Sequence, residues 1–339
     1  MNSKLNYLKI LYKTIRKVKI MNTYLHQKFN KQIRKIHHLG NILVAISGGQ
    51  DSLCLIKLVQ DFKKKENFSG IIEYIYIDHQ WRKDSRKQIQ HLVNYVHKQS
   101  ARITIYEIKK IIYSELEARQ LRYQIIIKHA LSNSYLTILT AHTETDKIET
   151  FFQQLIRGTS LDGATSLRYY RQLKPNLQLV RPLIYIHRKD IHWFCRKFCL
   201  PIWSDNTNYQ YNITRNRLRH ELLPYLKQYF MLNIENNISK FINISDQDNE
   251  YMKQNAIKLY LISRHKTNIA LNCLLIRKQH YAVQARTLEI FFYHHFSKPL
   301  NYSTLTQITN LIQEEQIHHQ RLKWHHLIIN IYNDWVYIN

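Results

Sequence analysis

Short apolar runs alternate with longer amphipathic stretches through the first two thirds of the chain. Four of the runs are rich in β-branched residues and bounded by small or polar residues, so they predict strands. They span residues 42–46, 71–78, 101–108 and 135–140. Apolar positions at helical spacing predict helices at residues 22–37, 53–62 and 85–98, from residue 114, after residue 142 and at 187–198. Strands and helices that alternate at this spacing predict the α/β class, with a parallel, doubly wound sheet.

The pattern changes after residue 224, where helical periodicity prevails. It predicts helices at residues 225–229, 245–264, 281–296 and 302–314, then two short strands at 327–332 and 335–338 around an Asn333-Asp334 turn. We therefore predict three regions: a basic extension and a helix over residues 1–39, an α/β domain over residues 40–224, and a smaller, mostly helical domain over residues 225–339 that ends in a β-hairpin.

The first strand leads directly into a loop of small and polar residues. The loop consists of Ser47, Gly48, Gly49, Gln50, Asp51 and Ser52, and a helix follows it. Adjacent glycines and a helix N-terminus present backbone N–H groups to one point, where a phosphate group is the expected ligand. Asp51 stands where the common nucleotide-binding loop has a lysine, and its carboxylate suits a Mg²⁺ ion that bridges phosphates. The alternative is a plain glycine turn between a strand and a helix.

Polar residues also follow the fourth strand. His142 comes first, and Asp146 and Glu149 lie three residues apart on one face of the next helix. Arg122 shares a face of the preceding helix with Arg119. Because the carboxyl ends of parallel strands meet at one edge of a sheet, we expect the loop and these polar residues to face one cleft. The alternative for the two carboxylates is a charged first helical turn, stabilised by the helix dipole.

The net charge predicts a polyanionic partner. The chain has 50 Lys and Arg against 24 Asp and Glu, a formal charge of +26, which favours nucleic acid. Arg215, Arg217 and Arg219 form a basic cluster that we predict to contact RNA, the alternative being a solvated helix start. No run of eighteen apolar residues occurs, so no membrane partner is predicted.

Composition also bears on the compartment. Four cysteines without paired short spacing indicate a reducing environment, with neither a disulfide scaffold nor a zinc site. The skew towards Ile, Asn, Lys and Tyr, with only six glycines, resembles translation from a very AT-rich genome such as that of a plastid. Since residues 1–40 lack the serine richness of a transit peptide, we expect a plastid-encoded protein of the stroma or, failing that, a bacterial cytoplasmic one.

Several motifs in order carry a resemblance to a known family. The loop at residues 47–52 is similar to the signature loop of the PP-loop (N-type) ATP pyrophosphatases, whose fold is Rossmann-like. With it come Arg119-x-x-Arg122-Tyr123, His142 with Asp146-x-x-Glu149-Thr150, the Arg157-Gly158 segment, and Asp205-x-x-Asn208 with the arginine cluster at 215–219. Together, between residues 41 and 224, they resemble the tRNA(Ile)-lysidine synthase family. The C-terminal third resembles that family only in its layout, and we expect the chain to end before the further C-terminal domain that larger members carry.

The resemblance implies a ligase that uses ATP, Mg²⁺, free L-lysine and an isoleucine tRNA with a CAU anticodon. The wobble cytidine would be adenylated at the C2 oxygen, and lysine would then displace AMP to leave lysidine. Residues 47–52 would hold ATP, with Asp51 as the metal ligand, and Arg122 would steady charge on the adenylate. His142 would contact the adenylate or accept a proton, and Asp146 and Glu149 would bind the cationic lysine. The resemblance does not determine the oligomeric state, and a homodimer is one of the states left open.

One departure from the family pattern concerns the lysine site. Where the family has two aspartates and a glutamine, this chain has Thr145-Asp146-Lys147, so a weaker lysine site is an expected consequence. Three alternatives for the whole protein share some of its features: a PP-loop tRNA thiolase, a ligase such as NAD synthetase, and a noncatalytic basic RNA-binding protein. The thiolase lacks support because its cysteine pairs are missing, and the RNA-binding protein would leave the loop unexplained.

Overall fold

A computed structural model describes residues 22–80, 85–109, 114–203, 214–314, 320–332 and 334–338, and every structural statement below concerns these residues. They form two compact units. The first, here called the α/β unit, runs to Thr159 and resumes over Ser166–Ser239; the C-terminal unit comprises Ser160–Thr165 and the chain from Lys240 onward. The boundaries proposed at residues 39/40 and 224/225 stay predictions. The basic segment 4–19 and most of the polar turn at 203–208 lie outside the described residues.

The sheet of the α/β unit has the strand order β3-β2-β1-β4-β6-β5. Its strands are β1 (Ile42–Ile46), β2 (Ile72–Asp78), β3 (Arg102–Glu107), β4 (Thr137–Thr140), β5 (Tyr170–Lys174) and β6 (Leu177–Val180). All neighbours are parallel except β5, which pairs with β6 in an antiparallel hairpin at the edge. Strand β1 is central, with Val44 opposite Tyr74 on one side and Leu139 on the other.

Helices cover both faces of this sheet. The helices of the α/β unit up to Tyr229 are α1 (Tyr24–Ile33), α2 (Gln50–Lys65), α3 (Ser85–Lys98), α4 (Glu115–Ser132), α5 (Glu144–Arg157), α7 (Arg188–Lys197), α8 (Thr214–Arg217) and α9 (Leu223–Tyr229), with a π-helical turn at Leu218–Leu222 between the last two. Alternate residues of β1 feed two cores: Val44 packs with α1, α2, α3 and α7, whereas Leu43 packs with α4. This two-sided burial explains the nearly continuous apolar run at residues 42–46.

The predicted fold class is confirmed, and several predicted bounds are close. Strand β1 and helix α3 begin and end where expected, and Ser114 caps α4 by accepting a hydrogen bond from the backbone N–H of Glu117 at 3.1 Å. The hairpin of β5 and β6 was not predicted, because its exposed edge strand, Tyr170–Lys174, has a polar sequence without alternation. That hairpin places the carboxyl end of β6 beside that of β4.

The C-terminal unit combines helices with a small antiparallel sheet. Its helices are α6 (Leu161–Ala164), the part of α10 (Ile234–Ser263) from Lys240 onward, α11 (Cys273–Arg277), α12 (Tyr281–Phe296) and α13 (Tyr302–Gln313). Strands β9 (Leu327–Tyr332) and β10 (Trp335–Ile338) form the predicted hairpin. Two unpredicted strands, β7 (Ala270–Asn272) and β8 (Gln320–Trp324), extend it to the order β7-β10-β9-β8. A helix long and apolar enough to cross a membrane does not occur in the part of the chain that the structure describes.

Candidate active site

The predicted phosphate loop has the geometry of an anion-binding turn. Gly48 has a φ of +75°, which favours glycine, and a Cβ there would also lie only 3.0 Å from the side-chain amide of Gln88. Gly49 is the N-cap of α2. The hydroxyl of Ser52 accepts a hydrogen bond from the backbone N–H of Ser47 at 3.0 Å and closes the loop. The N-terminus of a 16-residue helix therefore lies at the position predicted for the phosphate group, where the helix dipole favours an anion.

One cavity of about 220 Å³ lies at the carboxyl edge of the sheet. Seven of the residues that line it were candidates from the sequence: Ser47, Asp51, Ser52, Arg122, His142, Asp146 and Arg215. The ends of β1 and β4, which pair in parallel, bring the loop residues and His142 together, and Arg122 from α4 and Arg215 from α8 add to the lining. Glu149 and Arg219 lie behind the cavity wall and contact residues that line it. The cavity therefore brings together part of the set that was expected to face one cleft, whereas Gly48, Gly49, Gln50 and Glu149 do not line it.

Asp51 is held in a poorly solvated position. Its Oδ2 lies 3.9 Å from Nη2 of Arg188, while its Oδ1 is buried and has no hydrogen-bond partner among the described residues. Burial, reinforced by Asp146 and opposed by Arg188, raises the pKa of Asp51 from 3.8 to about 6. A divalent cation would satisfy the orphaned oxygen and favour the ionised carboxylate, so this residue fits the predicted Mg²⁺ ligand.

The same burial predicts that Asp51→Asn stabilises the ligand-free protein. Because the folded-state pKa is raised from 3.8 to about 6, ionising Asp51 opposes folding above pH ~4, and the full penalty is present above pH ~6. At about 1.4 kcal/mol per pKa unit, the variant should gain about 2–3 kcal/mol in urea unfolding at pH 8 without Mg²⁺. The gain should vanish near pH 4. Equal stability of the two proteins at pH 8 would contradict the raised pKa.

Two carboxylates and two guanidinium groups form an ion-pair cluster, which consists of Asp146, Glu149, Arg215 and Arg219. Nη2 of Arg215 lies 2.5 Å from Oδ1 of Asp146, and its Nε lies 2.6 Å from Oε2 of Glu149. Arg219 donates to Glu149 through Nε at 2.7 Å and through Nη2 at 3.0 Å. The carboxylates come from the first turns of α5, Arg215 from α8 and Arg219 from the π-helical turn. The four formal charges cancel within the cluster.

The two carboxylates of the cluster differ in their exposure to the cavity. Asp146 lines it, whereas the Glu149 side chain is completely buried. Oδ2 of Asp146 accepts from the backbone N–H of Thr143 at 2.7 Å and from its hydroxyl at 2.9 Å, in a capping box. Burial alone would raise the pKa of Asp146, but the charge of Arg215 and the hydrogen bonds from Thr143 hold it below its ordinary value. Asp146 is therefore a fixed, ionised group at the cavity wall.

His142 is neutral at physiological pH. Burial is the main cause that lowers its pKa to about 3; Asp146 opposes the shift, and Arg181, Arg215 and Arg119 contribute to it. The hydroxyl of Thr140 lies 2.9 Å from Nδ1 of the imidazole. Of the two roles expected from the sequence, this pKa favours a hydrogen-bonding contact over a proton acceptor.

Lys147, which departs from the family pattern, does not line the cavity. Its side chain is buried, and its ammonium lies 5.6 Å from the centroid of the Tyr185 ring. The positive charge that it adds is therefore directed towards an aromatic face. That Lys147 weakens the lysine site stays a prediction. The geometry argues against it, because the ammonium group is directed away from the cavity.

Sequence reasoning missed several charged residues around the site. Arg188, at the start of α7, is the guanidinium nearest to Asp51, and His187 pairs with the buried Glu144 at 2.9 Å. Arg181, at the end of β6, is buried and donates to the backbone carbonyl of Arg168 at 2.7 Å. Since ligands bind at the carboxyl ends of parallel strands, recognising β6 as a strand would have pointed to Arg181. No local motif distinguishes Arg188.

The predicted RNA-contacting arginines divide into two kinds. Arg215 and Arg219 belong to the ion-pair cluster, with side chains 24% and 16% exposed. Arg217 lies on the surface, 64% exposed, and pairs with Glu221 at 3.0 Å. Their role in RNA binding stays a prediction for all three, and only Arg217 has the exposure that a direct phosphate contact needs.

Comparison with known proteins places these features in a family. A model of the PP-loop domain matches residues 21–226. The chain is 50% identical over 93% of its length to a chloroplastic tRNA(Ile)-lysidine synthase of Gracilaria tenuistipitata var. liui, of which it covers 99%. It is 38% identical to the chloroplastic tRNA(Ile)-lysidine synthase of Pyropia yezoensis and 35% identical to the tRNA(Ile)-lysidine synthase of Nostoc sp., each over 86% of this chain and 89% of the relative.

A solved structure supports the fold. The U34-tRNA thiolase NcsA from Methanococcus maripaludis, with its [4Fe-4S] cluster, superposes with a TM-score of 0.54 at 13% identity, over 65% of this chain and 78% of that one. At that identity the likeness concerns the fold alone. The family model covers more than half of the chain, and the named relatives are matched over most of their length. The chain therefore belongs to the PP-loop proteins and, among them, to the tRNA(Ile)-lysidine synthase family.

Proposed function

We propose that this protein uses ATP to join lysine to C2 of the wobble cytidine in the CAU anticodon of an isoleucine tRNA. The product is lysidine, and the codon read changes from AUG to AUA. One observation carries the proposal: three residues of the phosphate loop, Ser47, Asp51 and Ser52, line the same cavity as Arg122, His142 and the cavity-facing part of the ion-pair cluster. The relatives named tRNA(Ile)-lysidine synthase support this choice of substrates.

The first half-reaction activates the cytidine. Its C2 oxygen attacks the α-phosphorus of ATP, and pyrophosphate leaves. Backbone N–H groups at Gly48 and Gly49 and the N-terminus of α2 would hold the phosphates. Arg122, which lines the cavity, would stabilise the negative charge that develops at the α-phosphate. His142, neutral because of its low pKa, would donate or accept a hydrogen bond at the nucleotide.

Magnesium fits the orphaned oxygen of Asp51. Mg²⁺ is usually bound by one or two carboxylates together with substrate phosphates, so a site with a single buried carboxylate is sufficient. When bound, it would neutralise charge on the departing pyrophosphate. Arg188, close to Asp51, would add to the positive potential at the same end of the cavity.

The second half-reaction replaces AMP with lysine. The uncharged ε-amine attacks C2 of the activated cytidine, AMP leaves with the C2 oxygen, and the amine loses a proton. The other end of lysine must be held so that the amine is aligned with C2. Asp146 is an ionised group at the cavity wall and is suited to the α-ammonium of lysine.

The decisive test is substrate-dependent pyrophosphate release. With ATP and Mg²⁺, release should occur with the isoleucine tRNA that carries a CAU anticodon, and should be far slower with initiator methionine tRNA, which carries the same anticodon. Labelled lysine should then appear in the tRNA. Release without tRNA would contradict the proposal, and incorporation of sulfur in place of lysine would favour the thiolase alternative.

Binding of tRNA should depend on salt through exposed arginines. Replacing Arg217 with Gln should lower the slope of log K against log salt concentration by about 0.7–0.9, because one phosphate contact is lost. Filter binding between 50 and 300 mM KCl measures the slope. Lys98→Gln, which removes one exposed positive charge from the end of α3, is the matched control. An unchanged slope for Arg217→Gln would place the RNA elsewhere.

We place the reaction in the plastid stroma. Two of the similar proteins, from the algae Gracilaria tenuistipitata var. liui and Pyropia yezoensis, are named as chloroplastic. The AT-rich type of composition agrees with a plastid origin.

A further inference from the structure

Another cavity, here called the amino-edge cavity, lies at the amino edge of the same sheet, opposite the active site. Its volume is about 560 Å³, and it shares no lining residue with the active-site cavity. Leu136, directly before β4, and Leu177, at the start of β6, line it from the sheet. The remaining lining comes from residues 35–38, after α1, and from residues 169–178, which include the β5–β6 hairpin. Binding sites for small molecules typically enclose roughly 300–1,000 Å³, so this cavity is large enough for one nucleotide.

The lining combines positive charge with aromatic rings. Lys35 supplies an ammonium group, and His37 and His38 supply imidazoles. Tyr169 and Tyr170 supply two rings at the start of the hairpin. None of the described residues that line the cavity carries a carboxylate. Proteins that bind single-stranded nucleic acid use this combination, because bases stack on aromatic rings while cations hold the phosphates.

The two tyrosines differ in their availability to a ligand. The hydroxyl of Tyr169 donates to the backbone carbonyl of Gln32 at 2.6 Å, and the ammonium of Lys35 lies 5.9 Å from the centroid of the Tyr169 ring. Tyr169 is therefore a fixed part of the cavity wall. Tyr170 is 43% exposed, and its hydroxyl donates to the side chain of Gln172, which orients the ring. The ring of Tyr170 is therefore the surface on which a base can stack.

Positive charge continues outside the cavity. Lys31 lies four residues before Lys35, and Lys174 lies between lining residues of the hairpin; both are exposed, and neither lines the cavity. Strand β5 is the end strand of the described sheet, and no described strand pairs with its outer edge. A free mononucleotide ends inside the cavity, whereas an RNA chain brings further phosphates to lysines at the rim. The surroundings of the cavity therefore favour RNA over a free nucleotide.

We infer that the amino-edge cavity binds one unstacked nucleotide of the tRNA substrate. Its base stacks on Tyr170, and its phosphate lies beside Lys35 and the two histidines. The inference rests on the proposed function and adds an RNA contact outside the active site. Because β1 spans only five residues, or about 17 Å, the two edges of the sheet are close enough for one tRNA to contact both.

The test measures tRNA affinity in variants of the cavity. Tyr170→Ala should raise the Kd for the isoleucine tRNA by about 5- to 150-fold, the loss expected when one base–aromatic stack is removed. Tyr170→Phe keeps the ring and should bind within about twofold of wild type. Lys35→Gln should lower the slope of log K against log salt concentration by about 0.7, because one phosphate contact on a single strand is lost. Filter binding at a series of KCl concentrations measures all three.

Kinetics and a matched control make the result specific. In Tyr170→Ala the KM for tRNA should rise with the Kd, while kcat for pyrophosphate release and the KM values for ATP and lysine stay within about twofold. Tyr106→Ala removes a ring of similar exposure, 37% against 43%, from β3 at the far edge of the sheet, and should leave tRNA affinity unchanged. Ultraviolet cross-linking followed by mass spectrometry should join a nucleotide of the tRNA to a peptide from residues 169–178. Circular dichroism establishes that each variant is folded.

Other results contradict the inference. If folded Tyr170→Ala keeps the wild-type Kd, no base stacks on this ring. If Tyr170→Phe weakens binding as much as Tyr170→Ala, the hydroxyl and not the ring makes the contact. If AMP binds wild type at two sites per chain and Tyr170→Ala at one, with tRNA affinity unchanged, the ligand is a free nucleotide. Because the Kd is measured without the reaction, a wild type that binds tRNA but releases no pyrophosphate would remove the proposed function and leave this test of the cavity intact.

Discussion

Asp51→Asn is expected to reduce tRNA-dependent pyrophosphate release by about 10³-fold or more. Asp51 has a buried oxygen without a partner at the start of α2, where the phosphates of ATP would lie. A metal ion at such a position contributes several kcal/mol to charge stabilisation in the transition state, and about 4 kcal/mol corresponds to a thousandfold in rate. An asparagine of the same shape keeps the packing but binds Mg²⁺ much more weakly.

The measurement is release of labelled pyrophosphate at pH 7.5 with a titration of MgCl₂. Affinity for tRNA should stay within a few-fold of wild type, because Asp51 lies in the cavity wall and is 20% exposed. Asp248→Asn, on the exposed face of α10, removes the same charge and should leave the rate unchanged. A near-normal rate in Asp51→Asn would show that the loop assignment is wrong.

Together with the unfolding experiment, this variant separates stability from activity. The raised pKa of Asp51, about 6, indicates that the ionised carboxylate costs stability in the absence of ligand. We therefore expect Asp51→Asn to be more stable and inactive, which is the behaviour of a residue kept for function. Wild type should recover stability on addition of ATP and Mg²⁺, and the variant should recover less.

Asp146→Asn is expected to act on the second half-reaction. Its ionised carboxylate lines the cavity and is held by Thr143 and Arg215. Loss of a charge-assisted hydrogen bond to the α-ammonium costs about 1.5–3 kcal/mol. We predict that the lysine KM rises by at least about tenfold, that adenylated tRNA accumulates, and that the KM for ATP changes much less.

A single-turnover assay with α-labelled ATP follows both steps, the label first on tRNA and then released as AMP. Thr143→Val tests for damage to the helix start, because it removes the hydroxyl of the capping box and keeps the carboxylate. It should leave the ratio of the two rates nearly unchanged. If Asp146→Asn slows adenylation and lysine transfer equally, Asp146 serves the phosphate site, and the lysine pocket lies elsewhere.

Local sequence was sufficient for the elements that surround the phosphate loop. The apolar run at residues 42–46, the adjacent glycines and the polar residues after them specify a buried strand, a positive φ at Gly48 and a helix start, all through interactions within a few residues. Local sequence did not predict the edge hairpin of β5 and β6. Its polar edge strand is stabilised by pairing with β6, which itself depends on β4.

The sequence by itself determined which residues are available at the site: a phosphate loop, an aspartate for a metal, two carboxylates on one helical face and a nearby arginine cluster. Only the tertiary structure decided which of them contact one another. Arg215 lies 66 residues from Glu149 and 69 residues from Asp146 along the chain. The burial that raises the pKa of Asp51 and lowers that of His142 likewise requires the packed sheet and helices around them. Ion pairing and desolvation depend on distance in space, which no local pattern of residues encodes.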